Sequence, residues 1–196
     1  MISQLERRRQ FIHMLSGVVL GLLLYLGILN KITAPILFLI GSLICWRCKQ
    51  NRIPVIYSFL RYFEREKDLE KFPGKGALFF LGGATLVILL FPKDIALASI
   101  LILAFGDSVS HLVGRYGSIK HPFNSKKYVE GSVAGAVVAF IAAFVILNNP
   151  IEAGLAAVLA MFVEGLNIEL WEKKVDDNLL VPLVSGVVIW VLRFFL

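Results

Sequence analysis

The chain has 196 residues, of which 58% are hydrophobic and 17% are charged, and its formal net charge is +6. Because an ordinary soluble domain is about 45–50% apolar, this composition predicts an integral membrane protein. Each membrane-spanning helix takes about 20 residues, so the length allows one helical bundle and excludes a separate soluble domain. We therefore expect an all-α fold that forms a single domain over residues 1–196.

Seven apolar runs follow one another along the chain, and we predict a transmembrane helix for each. They cover about residues 11–29, 32–46, 76–92, 95–114, 132–148, 151–168 and 179–196. Between the second and third runs, apolar residues recur at helical spacing beside arginines over about residues 52–66. This pattern predicts an amphipathic helix that lies on the membrane surface.

The lysines and arginines are distributed unevenly between alternate loops. If the N-terminus is cytoplasmic, 17 of the 20 basic residues fall in cytoplasmic segments, and only Lys31, Lys93 and Arg193 fall outside. Since cytoplasmic loops carry the excess of positive charge, we expect a multi-pass protein with its N-terminus inside and its C-terminus outside. The net charge then belongs to one membrane face and attracts anionic lipids, and we expect no nucleic-acid partner.

Several polar residues fall at or near the cytoplasmic ends of the predicted spans. They are His13, Asp107, Glu130, Glu164 and the run Asp176-Asp177-Asn178. A carboxylate close to lipid is costly, and it persists where it binds an ion, a substrate or a proton. Their shared position predicts one site at the cytoplasmic face of the membrane.

The densest polar stretch covers residues 106–135 and combines the groups that a metal-bound polyphosphate needs. Asp107 and Glu130 offer carboxylate oxygens to a hard cation such as Mg²⁺. Lys126 and Lys127 offer ammonium groups, and the N-terminus of the fifth span offers backbone N–H groups to phosphate. The patterns GxGxxG and GxxxxGK[ST] are both absent, which argues against a Rossmann or P-loop site.

The same residues resemble the central signature of the CTP-dependent polyprenol kinase family, which includes dolichol kinase, phytol kinase and a CTP-using diacylglycerol kinase. Residues 106–114 match GD-x-x-[small]-x-x-x-G, and residues 126–132 match KK-x-x-EGS. Residues 6–17 are similar to the opening element E-x-x-R-x-x-x-H-x-x-x-G, and Glu164 with residues 176–183 is similar to the closing element E…DDNLxVPL. Gln10 departs from the usual lysine, and Ser110 from the usual alanine.

The resemblance implies that the γ-phosphate of CTP is transferred to the hydroxyl of an isoprenoid alcohol of the dolichol, polyprenol, geranylgeraniol or phytol type. It implies Mg²⁺ on Asp107, Glu130 and Asp177, and it implies that Lys127 neutralises the transferred group. Glu164 or Asp107 would accept the proton of the hydroxyl. The expected nucleotide- and phosphate-binding residues are His13, Gly106, Arg115, Lys126, Gly131, Ser132, Asp177 and Asn178.

Structural roles are the simpler alternative for each of these residues. Asp107 could pair with Arg115 two turns further on, Glu130 could cap the fifth span, and the two lysines could be membrane anchors. His13 could pack and hydrogen-bond within the bundle. Cys45 and Cys48 form a CxxC pattern without a second pair, so we expect no metal or redox role for them.

Two other functions also fit a membrane protein with carboxylates at its helix ends. A lipid cytidylyltransferase would use CTP and Mg²⁺ but release pyrophosphate and make a CDP-lipid. A transporter would use the carboxylates along an ion path, but here the polar residues cluster at one face. The sequence leaves the oligomeric state and the identity of the alcohol open.

Overall fold

The computed structural model describes residues 3–166, 168–170 and 173–195. The helices are α1 (Gln4–Tyr25), α2 (Thr33–Asn51), α3 (Pro54–Phe63), α4 (Glu66–Lys71), α5 (Lys75–Leu90), α6 (Lys93–Gly114), α7 (Val129–Leu147), α8 (Pro150–Gly165) and α9 (Asp177–Phe195). The strands are β1 (Lys120–His121), β2 (Asn124–Tyr128), β3 (Glu169–Leu170) and β4 (Lys173–Lys174).

Each of the seven apolar runs lies on one of the long helices, although Asn167 and Leu196, at the ends of two runs, lie outside the described residues. Helix α1 begins well before the predicted residue 11, because the Ser3 hydroxyl accepts a hydrogen bond from the N–H of Glu6 and caps the helix. It ends soon before Gly27, which takes a left-handed φ of 77° that favours glycine.

The predicted surface helix over 52–66 is present as two helices. Pro54 occupies the first turn of α3, where its missing N–H costs nothing. The chain turns extended at Glu64 and Arg65 before α4 begins. The single helix that we predicted is therefore broken at this point, and the break places Arg65 beside α1.

The purely α-helical prediction misses two short antiparallel hairpins. Strands β1 and β2 connect α6 to α7, with Lys120 opposite Tyr128 and His121 opposite Asn124. Strands β3 and β4 lie between α8 and α9. The β2 sequence NSKKY is polar and lacks the apolar alternation that marks a strand, so no local signal predicted it.

Helix α6 lies at the centre of the bundle and packs against α1, α5, α7 and α9. Of its most apolar 18-residue window, 72% is buried inside the protein, against 22% for α7 and 28% for α9. Among the described residues these three helices are long and apolar enough to cross a membrane, and α5 is a shorter apolar helix. Helix α6 thus carries its polar residues within the protein, while α7 and α9 present apolar surface outward.

Candidate functional site

Asp107 lies near the cytoplasmic end predicted for α6, at the last position of a π-helical segment, Ile102–Asp107. Such π-segments interrupt α-helices mainly at functional positions. The Asp107 carboxylate is buried and lies 3.3 Å from His111 Nε2, one turn further on, and 3.7 Å from His13 Nε2 of α1. The π-segment therefore brings a buried carboxylate between two imidazoles.

Lys127 connects the ends of two other helices, α8 and α9. Strand β2 places its ammonium against the C-terminal end of α8, where Nζ donates to the carbonyl oxygen of Glu164 at 2.5 Å and to the Glu164 carboxylate. Nζ also lies 3.3 Å from Asp177 Oδ2 at the start of α9. Burial lowers the pKa of Lys127, but the carboxylates of Glu164 and Asp177 raise it above its usual value, so the ammonium stays charged.

Glu164 is almost completely buried, with 1% of its surface exposed. A carboxylate in such a position requires a cation and hydrogen-bond donors. Lys127 supplies the cation, and Ser110 Oγ donates to Glu164 Oε2 at 3.2 Å. The replacement of the usual small alanine by Ser110 thus adds a hydrogen bond to this carboxylate.

Four side chains converge closely enough to hold a metal ion. Ligand atoms of Asp107, His111, Glu164 and Asp177 all lie within 4.8 Å of one another. Three of the four are carboxylates, the ligands that a hard divalent cation prefers. The structure thus brings together two of the three predicted metal ligands, Asp107 and Asp177, and adds Glu164 and His111 to them.

Glu130, the third predicted metal ligand, lies outside this group of ligand atoms. Its Oε1 accepts hydrogen bonds from the backbone N–H groups of Ser118 and Ile119 at 2.7 Å and 3.0 Å. These bonds tie the first turn of α7 to the loop that leads into β1. The geometry favours a role in holding this loop, while the metal-binding role stays a prediction.

A second ionic cluster surrounds Glu6, which is buried near the start of α1. Arg65 Nη2 lies 2.9 Å from Glu6 Oε2, Gln10 donates to Oε1 at 3.0 Å, and Arg9 and Arg115 lie 3.8 Å and 3.7 Å away. Arg115 therefore pairs with Glu6, and the alternative that it pairs with Asp107 is wrong. Gln10, which stands where a lysine is usual, binds Glu6 instead of contributing a charge.

A polar cavity of about 650 Å³ lies between the two clusters. Basic side chains from three parts of the chain line it, together with His111 and Glu164. The basic residues are Arg65, Arg115, Lys126 and Lys127. Such a cavity, with a carboxylate cluster at its wall, can hold a polyphosphate and its cation.

The remaining predicted phosphate-binding residues are placed differently. A Cβ on Gly106 would lie 2.9 Å from the side chain of Met161, and one on Gly131 would lie 2.6 Å from the carbonyl oxygen of Ser110. Both glycines therefore permit close helix packing of α6 against α7 and α8. Ser132 Oγ is buried without a hydrogen-bond partner among the described residues, and Asn178 binds Asp176 through its amide. Their contacts with phosphate stay predictions.

Two residues of this site were missed by the sequence analysis. His111 follows Asp107 by four residues, a spacing that places both side chains on one helix face, so a signal existed. Arg65 lies 59 residues from Glu6 in the chain, in a segment expected to lie on the membrane surface. No local pattern connects such distant residues.

Several proteins of known sequence are similar to this chain over much of its length. The chain is 28% identical to an uncharacterised protein of Methanocaldococcus jannaschii over 94% of this chain and 92% of the relative. It is 27% identical to CTP-dependent diacylglycerol kinase 1 of Eremothecium gossypii over 63% of this chain and 45% of that kinase. It is 30% identical to a probable chloroplastic phytol kinase of Triticum aestivum over 70% of this chain and 49% of the relative.

The chain is related to the CTP-dependent lipid kinases. It spans about half the length of the two named kinases, and nearly the whole of the archaeal relative. No family profile matches the chain, and no solved structure matches it.

Proposed function

We propose that the protein is a CTP-dependent lipid kinase that transfers the γ-phosphate of CTP to the hydroxyl of an isoprenoid alcohol of the dolichol, polyprenol, geranylgeraniol or phytol type. The observation that carries the proposal is the convergence of Asp107, Glu164, Asp177 and Lys127, two of which, Glu164 and Lys127, line a basic cavity. The relative named as a CTP-dependent diacylglycerol kinase supports the choice of CTP as the donor. That relative and the probable phytol kinase support a lipid alcohol as the acceptor.

The carboxylate cluster fits Mg²⁺ by its chemistry. Asp107, Glu164 and Asp177 offer oxygen ligands that lie within 4.8 Å of one another. When bound, Mg²⁺ would neutralise the charge on the β- and γ-phosphates. Glu130 would become a ligand of this ion if the loop that it holds moved toward the cluster.

The basic side chains of the polar cavity supply positive charges that can bind the phosphates of a nucleoside triphosphate. In our proposal Arg65, Arg115 and Lys126 bind the phosphate chain, and Lys127 lies beside the transferred group. Because Lys127 is already anchored by Glu164 and Asp177, its ammonium is fixed before the substrate binds, and little reorganisation is needed.

The transfer itself breaks one bond and forms one. The acceptor oxygen attacks the γ-phosphorus of CTP, the bond between that phosphorus and the β,γ-bridging oxygen breaks, and CDP leaves. The hydroxyl proton passes to a carboxylate, for which Asp107 and Glu164 are the two candidates. The products are a lipid monophosphate and CDP.

We also propose that all seven long helices span the membrane, with the site at the cytoplasmic face and the C-terminus outside. Four of the seven, α1, α2, α5 and α8, fall short in length or apolar character, and large apolar side chains are exposed on α1, α2 and α8. They include Phe11, Leu15, Val18, Val19 and Leu22 on α1; Ile36, Leu39, Ile40 and Leu43 on α2; and Ile151, Leu155, Val158 and Phe162 on α8. Lipid would cover this surface.

The proposal is tested with purified protein, Mg²⁺, and labelled CTP or ATP against phytol, geranylgeraniol, a long polyprenol and diacylglycerol. We expect CTP-dependent phosphorylation of the isoprenoid alcohols, and we expect Asp107→Asn to abolish it while the protein still inserts and folds. Substantial activity of Asp107→Asn would contradict the site. Release of pyrophosphate with a CDP-lipid would identify a cytidylyltransferase, and ion flux in proteoliposomes without lipid phosphorylation would identify a transporter.

A further inference from the structure

A second cavity, of about 470 Å³, is lined by Asp107, whereas the basic cavity is lined by its ion-pair partner His111. Most of the residues that line the second cavity belong to α1, α2, α3 and α5, and Asp107 of α6 and Asn178 of α9 complete it. Its volume falls within the roughly 300–1,000 Å³ of ligand-binding pockets. Its lining differs from that of the basic cavity, because most of it is hydrocarbon. The apolar side chains include Ile12, Leu15, Val19, Leu20, Leu37, Phe80 and Leu81.

Four polar atoms without hydrogen-bond partners among the described residues belong to side chains that line this apolar cavity. They are Arg9 Nη1, His13 Nε2, Asp107 Oδ1 and Asn178 Oδ1. Asp107 is more than nine-tenths buried. Three of these atoms have only ionic contacts: Arg9 Nη1 lies 3.8 Å from Glu6, His13 Nε2 lies 3.7 Å from Asp107, and Asp107 Oδ1 lies 3.3 Å from His111. Because buried polar groups normally form hydrogen bonds, these poorly satisfied atoms indicate a place for a polar group of a ligand.

The cavity is open toward the apolar surface of the protein. Leu15, Val19, Leu37 and Phe59 line the cavity, and each also exposes more than a third of its surface to the surroundings. They belong to α1, α2 and α3, so the opening faces sideways, between helices that carry outward apolar side chains. A hydrocarbon chain could therefore enter from lipid without crossing water.

We propose that this apolar cavity, lined by α1, α2, α3 and α5, is the acceptor site, and that it takes the hydroxyl-bearing end of a single-chain lipid alcohol. The hydroxyl donates to Asp107 Oδ1 and accepts from His13 Nε2, and the chain leaves between α1, α2 and α3. This proposal rests on the proposed function, which it deepens by choosing Asp107 over Glu164 as the group that receives the hydroxyl proton.

The position of the two candidate bases supports this choice. Asp107 lines the apolar cavity, whereas Glu164 lines the basic one and is occupied by Lys127 and Ser110. His13 packs edge-to-face on Phe80, with 4.5 Å between the ring centroids. This contact fixes the orientation of the imidazole in the wall of the apolar cavity. His13 therefore orients the acceptor, in contrast to the phosphate-binding role that the sequence analysis assigned to it.

The lining of the apolar cavity also favours an alcohol with one hydrocarbon chain over a diacylglycerol, which has two. Apart from Arg9, His13, Asp107 and Asn178, the polar side chains in the wall are those of Gln10, Ser16 and Glu64. The two ester carbonyls of a diacylglycerol would find few donors there, and an unpaired polar group in an apolar site costs free energy. A chain with one hydroxyl and no other polar group matches the wall throughout.

Two neighbouring valines provide a matched test. Val19 lines the cavity and is 45% exposed, while Val18 is 43% exposed on the same helix and does not line it. We expect Val19→Trp to lower kcat/KM for geranylgeraniol about tenfold, since overpacking a filled site is unfavourable. The KM for CTP should not change, and Val18→Trp should behave as the unaltered protein does.

A binding measurement separates this inference from the proposed function. A photoactivatable diazirine analogue of geranylgeraniol should label α1, α3 and α5. Geranylgeraniol should compete with this label better than dioleoylglycerol does. The Val19→Trp variant should lose the label, and the Val18→Trp variant should keep it. If this pattern holds and no variant phosphorylates an alcohol, the kinase proposal fails and the cavity assignment stands. Equal labelling of the two variants, or labelling confined to other helices, overturns the acceptor site. Equal competition by dioleoylglycerol overturns its preference for a single chain.

Discussion

Lys127 is the residue whose environment most directly connects the fold to the proposed reaction. Its ammonium contacts Glu164 and Asp177 from two different helices, and it lines the basic cavity. We expect Lys127→Met to lower kcat by about 10²–10³-fold, as the loss of one group that stabilises developing charge does elsewhere. Steady-state kinetics with CTP as the varied substrate would measure this effect.

The matched control for Lys127 is Lys120→Met on β1, because Lys120 is exposed and does not line the basic cavity. It should leave kcat unchanged, and Lys126→Met should raise the KM for CTP. Removal of Lys127 also leaves Glu164 buried without its cation, which costs roughly 3–5 kcal/mol of stability, so activity must be compared between folded samples. A Lys127→Met variant that keeps more than about a tenth of the normal kcat would contradict the assignment.

Glu64 has a pH-dependent effect on stability that can be predicted. It lies between α3 and α4, and its Oε2 accepts the N–H of Gly74 at 3.0 Å. Burial raises its pKa above the usual value, so the folded state binds the proton more tightly than the unfolded state does. The free energy of unfolding therefore falls as pH rises through this raised pKa.

Glu64→Gln keeps an oxygen that can accept the N–H of Gly74 and removes the charge. We expect this variant to be more stable than the unaltered protein at pH 8 and to lose the advantage at pH 4. Thermal unfolding of the detergent-solubilised proteins at several pH values would measure it. An unchanged difference in stability across this pH range would show that Glu64 does not titrate as we expect.

The sequence predicted the identity of the central residues better than their partners. Asp107, Glu164 and Asp177 were proposed from their positions at the ends of apolar runs, and Lys127 from the polar stretch 106–135 and the family resemblance. The structure brings these four residues together. The contacts of Arg65 with Glu6, and of Glu130 with the loop before β1, could not be derived in this way. They depend on the break between α3 and α4 and on the hairpin, neither of which has an apolar pattern.

At the scale of elements, the β1–β2 hairpin positions Lys127, and Glu130 anchors the loop before it. If Glu130 serves this structural role, Glu130→Gln should keep most of the activity, because the amide oxygen still accepts an N–H of Ser118 or Ile119. Glu130→Ala removes the acceptor and should lower kcat about tenfold through misplacement of the hairpin.

The two Glu130 variants distinguish this role from metal binding. A metal ligand would lose most of its affinity for Mg²⁺ in both variants, because Mg²⁺ is held mainly by carboxylates. Measurement of activity against Mg²⁺ concentration provides the test. A large rise in the Mg²⁺ requirement of Glu130→Gln would contradict the positioning role and support the predicted ligand.

Helix boundaries could be predicted from the sequence where a turn sequence separates two apolar runs. Helix α6 begins at Lys93 after the turn sequence Phe91-Pro92, and α8 begins at Pro150 after Asn149, close to the predicted positions. No pattern in the sequence ILAFGD distinguishes the π-helical segment Ile102–Asp107 from an ordinary apolar α-helix. That segment nevertheless determines where Asp107 lies.

At the scale of the whole molecule, the structure has a polar cavity, lined by His111, and an apolar cavity, lined by Asp107, with which His111 is paired. The basic cavity contains Lys127 and Glu164, and the apolar cavity lies among the helices that expose hydrocarbon. A kinase that joins a water-soluble nucleotide to a lipid needs such an arrangement, since its two substrates come from different phases. The charge distribution of the sequence is consistent with a nucleotide side that faces the cytoplasm.

The most direct test of this account follows the phosphorus atoms of CTP. Purified protein is incubated with geranylgeraniol and with CTP that is labelled at either the α- or the γ-phosphate, beside the Asp107→Asn variant. We predict that the γ-label appears in a lipid monophosphate, that the α-label remains in CDP, and that Asp107→Asn transfers neither. The α-label in the lipid fraction together with released pyrophosphate, or γ-transfer that persists in Asp107→Asn, would contradict the account.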